Sequence, residues 1–269
     1  MSEQAKKAEA FRALHASEPF VIPNPWDAGS ARMFEALGFQ ALATTSSGFA
    51  FTLGRLDGCV TLEEVVAHVA ALVAATELPI SVDLENGFGA APEDAALAVT
   101  RVAEAGAVGG SIEDWDPAGH LYEREHAVER VLAAVEAART LGFPFTLTAR
   151  AENHIRENPD LADTIGRLQA FEQAGADVLY APGLRTVDDI RSVCEAVSRP
   201  VNVLALPGLS VGGITGAGAQ RVSVGGGLAW VGIAAAAAAA EAIRDGGDLS
   251  SLGVRLPLAD WLYGRSEQS

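Results

Sequence analysis

Carboxylate side chains follow several of the predicted strands. Asp83 and Glu85 stand two residues apart after one strand, Glu113 follows the next strand, and Asp57 lies in the loop after an earlier one. Spacing of two along an extended chain puts Asp83 and Glu85 on the same side. Converging carboxylates repel one another unless they are protonated or share a cation, and oxygen ligands suit a hard ion. The sequence therefore predicts a Mg²⁺ site, with Mn²⁺ as the alternative ion.

Two glycines support a functional interpretation of the Asp83 and Glu85 pair. Gly87 and Gly89 come directly after it, and glycine lets the chain turn tightly and approach a ligand closely. For any one of these acids taken alone, the alternative is a helix cap or a solvated side chain.

Arg150 ends another predicted strand and supplies a permanent cation opposite the acids. A guanidinium suits a planar carboxylate or an oxyanion that develops during a reaction. The alternative is a purely structural buried ion pair. His120 and His154 have no partner at ligand spacing, so we expect both to have loop or core roles.

Eight short β-type segments recur along the chain, each followed by a helical pattern. They cover residues 19–24, 39–46, 78–85, 107–114, 143–150, 176–182, 200–206 and 220–225. Strands that alternate with helices predict parallel βαβ units, and eight units in 269 residues favour a closed (β/α)₈ TIM barrel over an open doubly wound sheet. We expect one domain over residues 1–269, with the barrel at about 11–245 and a helical tail at about 246–269. The acids and Arg150 would then meet at the carboxyl ends of the strands.

The sequence predicts where two of the helices begin. Thr61 and Glu64 are spaced as a capping box, and a further helix begins near Thr186. Near the end of the chain, the alanine run 234–240 predicts a helix that packs tightly against another surface.

The charge balance limits the partners. The chain has 19 Lys and Arg against 35 Asp and Glu, a formal net charge of −16, which disfavours nucleic acid and anionic lipid. An anionic substrate would need a local cation. Residues 222–240 carry no charge, but glycines interrupt them and most of the rest are alanine, so we expect no membrane span.

Cys59 and Cys194 are the only two cysteines, and their separation fits neither a zinc site nor a disulfide scaffold. The N-terminal residues mix charges and offer no long apolar stretch of the kind a secretory signal needs. These observations predict a cytoplasmic protein.

Several motifs, in order from about residue 11 to about residue 230, together resemble the isocitrate lyase and phosphoenolpyruvate mutase superfamily. They are Pro25-Trp26-Asp27-Ala28-Gly29-Ser30-Ala31-Arg32, Thr44-Thr45-Ser46-Ser47-Gly48, Asp57, Asp83-x-Glu85-x-Gly87-x-Gly89, Ile112-Glu113-Asp114 and Ala149-Arg150-Ala151-Glu152-Asn153. The resemblance implies a (β/α)₈ barrel that binds Mg²⁺ and a small 2-oxo acid or its enolate. It also implies homo-oligomers, dimers or tetramers, that exchange C-terminal helices.

The resemblance also assigns roles to residues. Asp83 and Glu85 would hold the metal directly or through water, with Asp57 and Glu113 next to them. Arg150 would stabilise the enolate oxyanion, and Glu113 is a second catalytic candidate. Within the implied substrate site, Thr45, Ser46 and Ser47 would donate to the substrate carboxylate. The full set of implied substrate-binding residues is Trp26, Asp27, Thr45, Ser46, Ser47, Arg150 and Asn202.

One segment departs from the lyases of this superfamily. Their mobile loop carries a Lys-x-Cys-Gly-His motif whose cysteine acts as the acid, whereas residues 113–120 here are shorter and contain no cysteine. Neither Cys59 nor Cys194 can be assigned that role. Residues 181–183 read Ala-Pro-Gly where lyases tend to place a glutamate, as in the phosphonomutase-like branch.

These observations lead to one main functional hypothesis. It is a Mg²⁺-dependent enzyme that cleaves a C–C bond in a small 2-oxo acid or 2-hydroxy dicarboxylate through an enolate, as a lyase, decarboxylase or oxo-acid hydrolase. The alternatives are a C–P phosphonomutase or phosphonopyruvate hydrolase, and a 2-oxo acid binding protein without turnover.

Overall fold

A sheet of eight parallel strands forms the centre of the computed structural model, which describes residues 1–263. The strands follow the order β1-β10-β9-β8-β7-β4-β3-β2. Their bounds are β1 Phe20–Ile22, β2 Leu42–Ala43, β3 Ile80–Asp83, β4 Gly109–Glu113, β7 Thr146–Arg150, β8 Val178–Tyr180, β9 Val201–Leu204 and β10 Arg221–Ser223. A separate antiparallel hairpin, β5 Trp115–Asp116 and β6 His120–Leu121, follows β4. The predicted eight-unit parallel architecture is confirmed.

Hydrogen bonds at the carboxyl ends of β1 and β2 bring the two edges of the sheet together. The backbone N–H of Ala43 donates to the carbonyl of Pro23 at 3.1 Å. The side-chain amide of Asn24 donates to the carbonyl of Thr44 at 2.9 Å. The sheet therefore curls into a TIM barrel, and the carboxyl ends of all eight strands surround one mouth.

Helices surround the barrel and connect its strands. Their bounds are α1 Glu3–Leu14, α2 Ala28–Ala36, α3 Ser46–Thr52, α4 Leu62–Ala75, α5 Pro92–Glu104, α6 Arg124–Thr140, α7 Leu161–Gln173, α8 Val187–Ala196, α9 Val211–Gly216, α10 Gly227–Gly246, the 3₁₀ turn η1 Ser250–Gly253 and α11 Leu258–Tyr263. Both predicted helix starts are confirmed. Thr61 and Glu64 form a reciprocal capping box on α4, and Thr186 caps α8 by accepting from the N–H of Asp189. The strand predicted at 39–46 is shorter than expected because Thr45 already caps α3.

Helix α1 closes the amino-terminal end of the barrel. Ala8 and Phe11 are fully buried and pack with Phe20 and Ile22 of β1. His15, directly after α1, lies edge-on against the rings of Phe11 and Phe20. The barrel interior is thus sealed at this end and accessible at the other.

Helix α10 contacts its own barrel only near its first turn, where Ala229 is buried and the ring of Trp230 lies edge-on to that of Phe51. Only Ala229 of this helix is buried, and Trp230 and Val231 are exposed. The alanine run 234–240 is largely exposed in the single chain, so its own barrel is not the surface against which it packs, and its packing against another surface stays a prediction. Within residues 1–263, α10 is the one helix that is long and apolar enough to cross a membrane by length and composition, and very little of it is buried.

His15 should make the stability of the protein depend on pH. Burial, and then the charge of Arg221, lower the pKa of His15 to about 3, so the folded protein keeps this ring neutral where the unfolded chain, with a pKa near 6.5, binds a proton. The stability is fully present above pH 6.5 and is lost as the pH falls from 6.5 towards 3. Between pH 6.5 and 5 we expect a loss of about 2 kcal/mol in the free energy of unfolding.

Urea denaturation at several pH values measures this effect. His15→Gln should show a flatter pH dependence than the wild type, whereas replacing the exposed His120 by Gln should leave it unchanged. Equal slopes for the wild type and His15→Gln would show that His15 does not carry the effect.

Candidate active site

Two adjoining cavities open at the carboxyl ends of the strands. The deeper one has a volume of about 170 Å³ and lies inside the barrel mouth, where residues from all eight strands of the main sheet line it. The other, of about 300 Å³, extends towards the loops after β4 and β7. Ser46, Asp57 and Arg150 line both. The predicted convergence of the acids and Arg150 at the mouth is confirmed.

Arg150 is the centre of a buried ion cluster. Its side chain is 11% exposed and lies 2.8 Å from Asp83, 3.0 Å from Glu113 and 2.9 Å from Glu152. The guanidinium also lies over the ring of Tyr180, 5.2 Å from its centroid. Burial alone would lower the pKa of Arg150, but the surrounding carboxylates raise it well above its usual value. Arg150 therefore stays charged, and the acids fix the position of its guanidinium.

Arg156 is a second cation that joins the same cluster. It lies 3.2 Å from Glu113 and 3.4 Å from Glu152, with its guanidinium 4.7 Å from the centroid of the Trp115 ring. Sequence reasoning missed both Arg156 and the partner role of Glu152. Their spacing of four residues, typical of an ion pair on one helical turn, is the pattern that could have indicated it.

Glu113 is enclosed by these charges. Burial and the neighbouring Glu152 raise its pKa well above the usual range, while Arg150 and Arg156 act in the opposite direction. Its placement beside Arg150 and Asp83 agrees with the predicted position. Its catalytic role stays a prediction.

Glu85 occupies an unusual position at the edge of the cluster. Its backbone has φ of 48°, in the left-handed region that is costly for a residue with a side chain. Its Oε1 atom is buried without a hydrogen-bond partner. Burial, followed by the charges of Asp83 and Asp57, raises the pKa of Glu85 to about 8. This buried oxygen therefore lacks a partner, which a cation would supply.

Asp83 is held by groups from three segments. Its Oδ1 accepts from Arg150, and from the N–H of Glu85 at 3.3 Å. Its Oδ2 accepts from the N–H of Ser46 at 3.4 Å. Its own N–H donates to the Thr44 hydroxyl at 2.8 Å. These contacts orient the carboxylate towards the cavities.

The predicted hydroxyl groups lie beside Asp83. Thr45 Oγ1 and Ser47 Oγ are 3.2 Å apart, and Thr45 also caps α3 by accepting from the N–H of Gly48. Asn202 lines the deeper cavity and donates to Ser223 Oγ at 3.0 Å. The structure therefore brings Thr45, Ser46, Ser47 and Asn202 to the same mouth as the acids.

Trp26 and Asp27 lie elsewhere. Asp27 is exposed and caps α2, accepting from the N–H of Ser30 at 2.7 Å. Trp26 is half-buried, with its ring edge-on to Phe34 at 6.1 Å. Neither is among the described residues that line the two cavities. Asp27 is engaged as a helix cap, and the contact of both with a substrate stays a prediction.

The charges that line the two cavities do not balance. Among the described lining residues there are five carboxylates, Asp57, Asp83, Glu85, Glu113 and Glu152, and three guanidinium groups, Arg150, Arg156 and Arg221. If all are ionised, two negative charges have no counterpart. This excess contributes to the raised pKa values of Glu85 and Glu113, and either protons on these acids or one divalent cation would neutralise it. Within residues 1–263 no group of three or more His, Cys, Asp or Glu side chains is arranged to hold a metal by itself. Mg²⁺ is held by as few as one or two carboxylates and keeps several waters, so the unpartnered Glu85 oxygen and the adjacent Asp83 fit this ion.

A second ion pair supports the cluster from below. Asp114 accepts from the N–H of Glu152 at 2.8 Å and lies 3.1 Å from Arg167. Arg167 also donates to the carbonyl of Tyr122 at 2.8 Å. Asp114 thereby fixes the backbone of Glu152, and Arg167 compensates its buried charge.

The segment that departs from the lyase motif forms the β5–β6 hairpin. Trp115 of this hairpin contacts Arg156, so the hairpin covers one side of the cluster. Among the described residues that line the two cavities there is no cysteine. Cys59 is exposed, and Cys194 is half-buried on α8, where burial raises the pKa of its thiol to about 11.

Comparison with known proteins supplies relatives over most of the chain. A family model described as phosphoenolpyruvate phosphomutase matches residues 11–244. An uncharacterized protein of Mycobacterium tuberculosis is 32% identical over 87% of this chain and 88% of its own. A 2-methylisocitrate lyase of Halalkalibacterium halodurans is 32% identical over 81% of this chain and 76% of its own.

Solved structures agree with the fold. A protein of Burkholderia cenocepacia J2315, provisionally described as a lyase or mutase, is 50% identical over 96% of this chain and 95% of its own, with a TM-score of 0.93. A phosphonopyruvate hydrolase complexed with oxalate and Mg²⁺ has a TM-score of 0.82 over 93% of this chain and 91% of its own. At 22% identity, that likeness shows the fold alone.

The Asp114 and Arg167 pair should be important for stability. Arg167→Met would leave Asp114 as a buried charge without its cation, so we expect the free energy of unfolding to fall by about 3–5 kcal/mol. The matched control is Arg191→Met, which breaks an exposed pair with Asp188 on α8 and should cost less than about 1 kcal/mol. Urea denaturation measures both, and a similar cost for the two variants would contradict the support role of Arg167.

Proposed function

Because the chain belongs to the phosphoenolpyruvate phosphomutase family of the isocitrate lyase and phosphoenolpyruvate mutase superfamily, we propose that it is a Mg²⁺-dependent enzyme acting on a small carboxylic acid. The substrate is a 2-oxo acid or 2-hydroxy dicarboxylate, and the reaction cleaves a C–C bond so that the electron pair of the broken bond is held in an enolate, which is then protonated. The superfamily relatives include C–C lyases such as 2-methylisocitrate lyase.

The observation that carries this proposal is the charge imbalance at the barrel mouth. Five carboxylates face three guanidinium groups, and the Oε1 atom of Glu85 is buried without a partner. An anionic acid would be repelled from such a site unless a cation bound there as well. Asp83 and Glu85 would hold Mg²⁺, with Asp57 and Glu113 next to them. When bound, the ion polarises the substrate carbonyl and stabilises the charge that appears as the bond breaks, an effect of several kcal/mol in such sites.

Arg150 stabilises the enolate oxygen. Its guanidinium is fixed by three carboxylates before the substrate arrives, so it needs little reorganisation as negative charge develops. The low exposure of the cluster strengthens this interaction because little water screens it.

The hydroxyl groups of Thr45, Ser46 and Ser47 orient the substrate carboxylate from the β2 side of the mouth. The amide of Asn202 contributes from the β9 side. Together they hold the acid with its carbonyl towards Arg150.

Protonation of the enolate distinguishes the candidate reactions. The lyase cysteine loop is replaced by the β5–β6 hairpin, which favours decarboxylation or hydrolysis over retro-aldol cleavage, because water can then serve as the acid. C–P bond chemistry and ligand binding without turnover are the outcomes against which the proposal is tested.

The exposed face of α10 supports a homo-oligomer as the working form. Trp230 and Val231 are exposed on a helix that buries only Ala229, and contiguous exposed apolar residues mark interaction surfaces. A second copy of this chain would cover this face by exchange of C-terminal helices. The cytoplasmic location stays a prediction.

Calorimetric titration tests the enzyme. Pyruvate, oxaloacetate, 2-oxoglutarate and phosphonopyruvate are titrated with and without Mg²⁺ while product formation is followed. We expect Mg²⁺-dependent binding and turnover of one acid by C–C cleavage. Turnover of phosphonopyruvate alone would favour C–P chemistry. Binding without turnover would indicate a 2-oxo acid binding protein that is not an enzyme.

Asp83→Asn tests the metal position in the same titration. Loss of one anionic ligand should weaken Mg²⁺ binding by about 100-fold or more, since changes to outer partners of a metal site already cost 10–100-fold. Asp188→Asn, at an exposed aspartate that lines neither cavity, is the control. Unchanged Mg²⁺ affinity in Asp83→Asn would refute this placement.

Val231→Asp tests the oligomer by sedimentation at several protein concentrations. A charge in the covered face should raise the dissociation constant by about 30-fold or more. Leu132→Asp changes an exposed leucine on α6 and should leave it unaltered. Recovery of the wild type as a monomer, or in membrane vesicles rather than in solution, would contradict the homo-oligomer.

A further inference from the structure

Arg221 is a buried cation on the floor of the deeper cavity. It is the first residue of β10, is 4% exposed, and lines the cavity together with Asn202 and Tyr180. Its Nε atom donates to Asn202 Oδ1 at 2.8 Å, and its Nη2 donates to Thr148 Oγ1 at 3.0 Å. Its Nη1 lies 3.2 Å from Nε2 of His15.

No carboxylate neutralises this guanidinium in the part of the chain that the structure describes. The other two arginines that line the mouth, Arg150 and Arg156, are each shared by at least two acids. Burial lowers the pKa of Arg221 to about 10, which still leaves it charged at neutral pH. A buried charge without a counterion is costly, so this position calls for an explanation beyond packing.

His15 holds the guanidinium in place without cancelling its charge. Its Nδ1 atom lies 2.9 Å from the carbonyl of Phe11 and must carry the hydrogen there, because a carbonyl only accepts. Its Nε2 atom is then the acceptor for Arg221. All three partners of Arg221 are therefore neutral acceptors, and none of them cancels the positive charge of this cavity-lining residue.

Some N–H donors of the Arg221 guanidinium have no partner in the protein. It carries five N–H groups, and three of them are used by Asn202, Thr148 and His15. Two remain on a group that lines a cavity, and a carboxylate is the planar acceptor that fits a pair of N–H donors. The cavity volume of about 170 Å³ is below the range of about 300–1,000 Å³ of sites for drug-sized ligands, so the occupant must be short.

We propose that Arg221, positioned by His15, is a carboxylate-binding subsite, and that the substrate is a short dicarboxylate whose second carboxylate binds at this floor. The proposal rests on the proposed function for the first carboxylate and the carbonyl, which lie at the acid-lined rim. The two ends of the cavity then bind groups of opposite charge. The acids of the rim bind a cation, and Arg221 at the floor binds a carboxylate.

Two acids of equal chain length test the subsite. Oxaloacetate carries a carboxylate where 2-oxobutyrate carries a methyl group, so the ratio of their dissociation constants reports the second carboxylate alone. Both are titrated calorimetrically into the full chain with Mg²⁺ present. Arg221→Met should weaken oxaloacetate binding by about 100-fold and change 2-oxobutyrate binding by less than about 3-fold. Equal weakening of both acids, or of neither, would overturn the proposal.

Thr148→Val separates charge from packing. It removes one hydrogen bond of Arg221 and leaves the cation in place. The ratio of the dissociation constants of oxaloacetate and 2-oxobutyrate should therefore stay at its wild-type value even if the melting temperature falls. A loss of the ratio in Thr148→Val as large as in Arg221→Met would assign Arg221 a structural role. If Arg221→Met does not fold, Arg221→Lys keeps the charge but loses the paired donors, and the ratio should fall about 10-fold. An unchanged ratio in Arg221→Lys would then overturn the proposal.

The subsite and the proposed function can fail separately. Binding of oxaloacetate that depends on Arg221 but leads to no turnover would support the subsite and refute the enzyme. Turnover that is indifferent to Arg221→Met would do the reverse. If the wild type binds neither acid, both proposals are refuted.

Discussion

Repulsion between carboxylates at the barrel mouth is the constraint to which the neighbouring structure responds. Parallel strands bring Asp83, Glu113 and Glu152 within about hydrogen-bonding distance of one guanidinium, that of Arg150. The arrangement is stable only because Arg150 and Arg156 lie between the acids. Glu85 is the exception, since its Oε1 atom has no partner, and burial together with its acidic neighbours raises its pKa to about 8. The same electrostatics that would favour a divalent cation therefore also favour a proton on Glu85 when no cation is bound.

Other buried arginines hold the loops that carry the acids. Arg167 compensates Asp114, which fixes the backbone of Glu152. Arg130 is 1% exposed and donates to the carbonyls of Asn86, Ala90 and Ala91, while its guanidinium lies 4.6 Å from the centroid of the Tyr122 ring. These carbonyls belong to the loop that follows Asp83 and Glu85. The position of the acids thus depends on the contacts of Arg167 and Arg130, two residues that do not themselves line the two cavities.

The barrel interior is divided by charge along its axis. Its rim is acidic, and its floor carries Arg221 among neutral acceptors. Below Arg221, His15 and the rings of Phe11 and Phe20 seal the amino-terminal end. A neutral His15 is compatible with Arg221, whereas a protonated ring would repel it. Helix α1 therefore contributes to the chemistry of the cavity as well as to its closure, because the residue that follows the helix orients the guanidinium.

The sequence by itself predicted the architecture and the strand-end position of most of the acids at the rim of the site. The alternation of strands and helices predicted the eight-stranded barrel, and the capping residues Thr61 and Thr186 predicted two helix starts, because these are local patterns with a fixed period or spacing. The position of Asp83, Glu85, Glu113 and Arg150 at strand ends followed from the same pattern.

Only the tertiary structure decided which charges lack a partner. Arg221 was not recognised because its partners lie on other elements, whereas Arg156 was missed although its spacing of four residues from Glu152 could have indicated the pair. Asp27 lies outside the cavities because it caps α2, and the ring of Trp26 packs against Phe34. The exposure of α10 likewise could not be read from its composition, since an alanine-rich helix looks the same whether its own barrel or another surface covers it. Composition and spacing describe what a segment can do, but pairing and burial depend on which distant residues the fold places beside it.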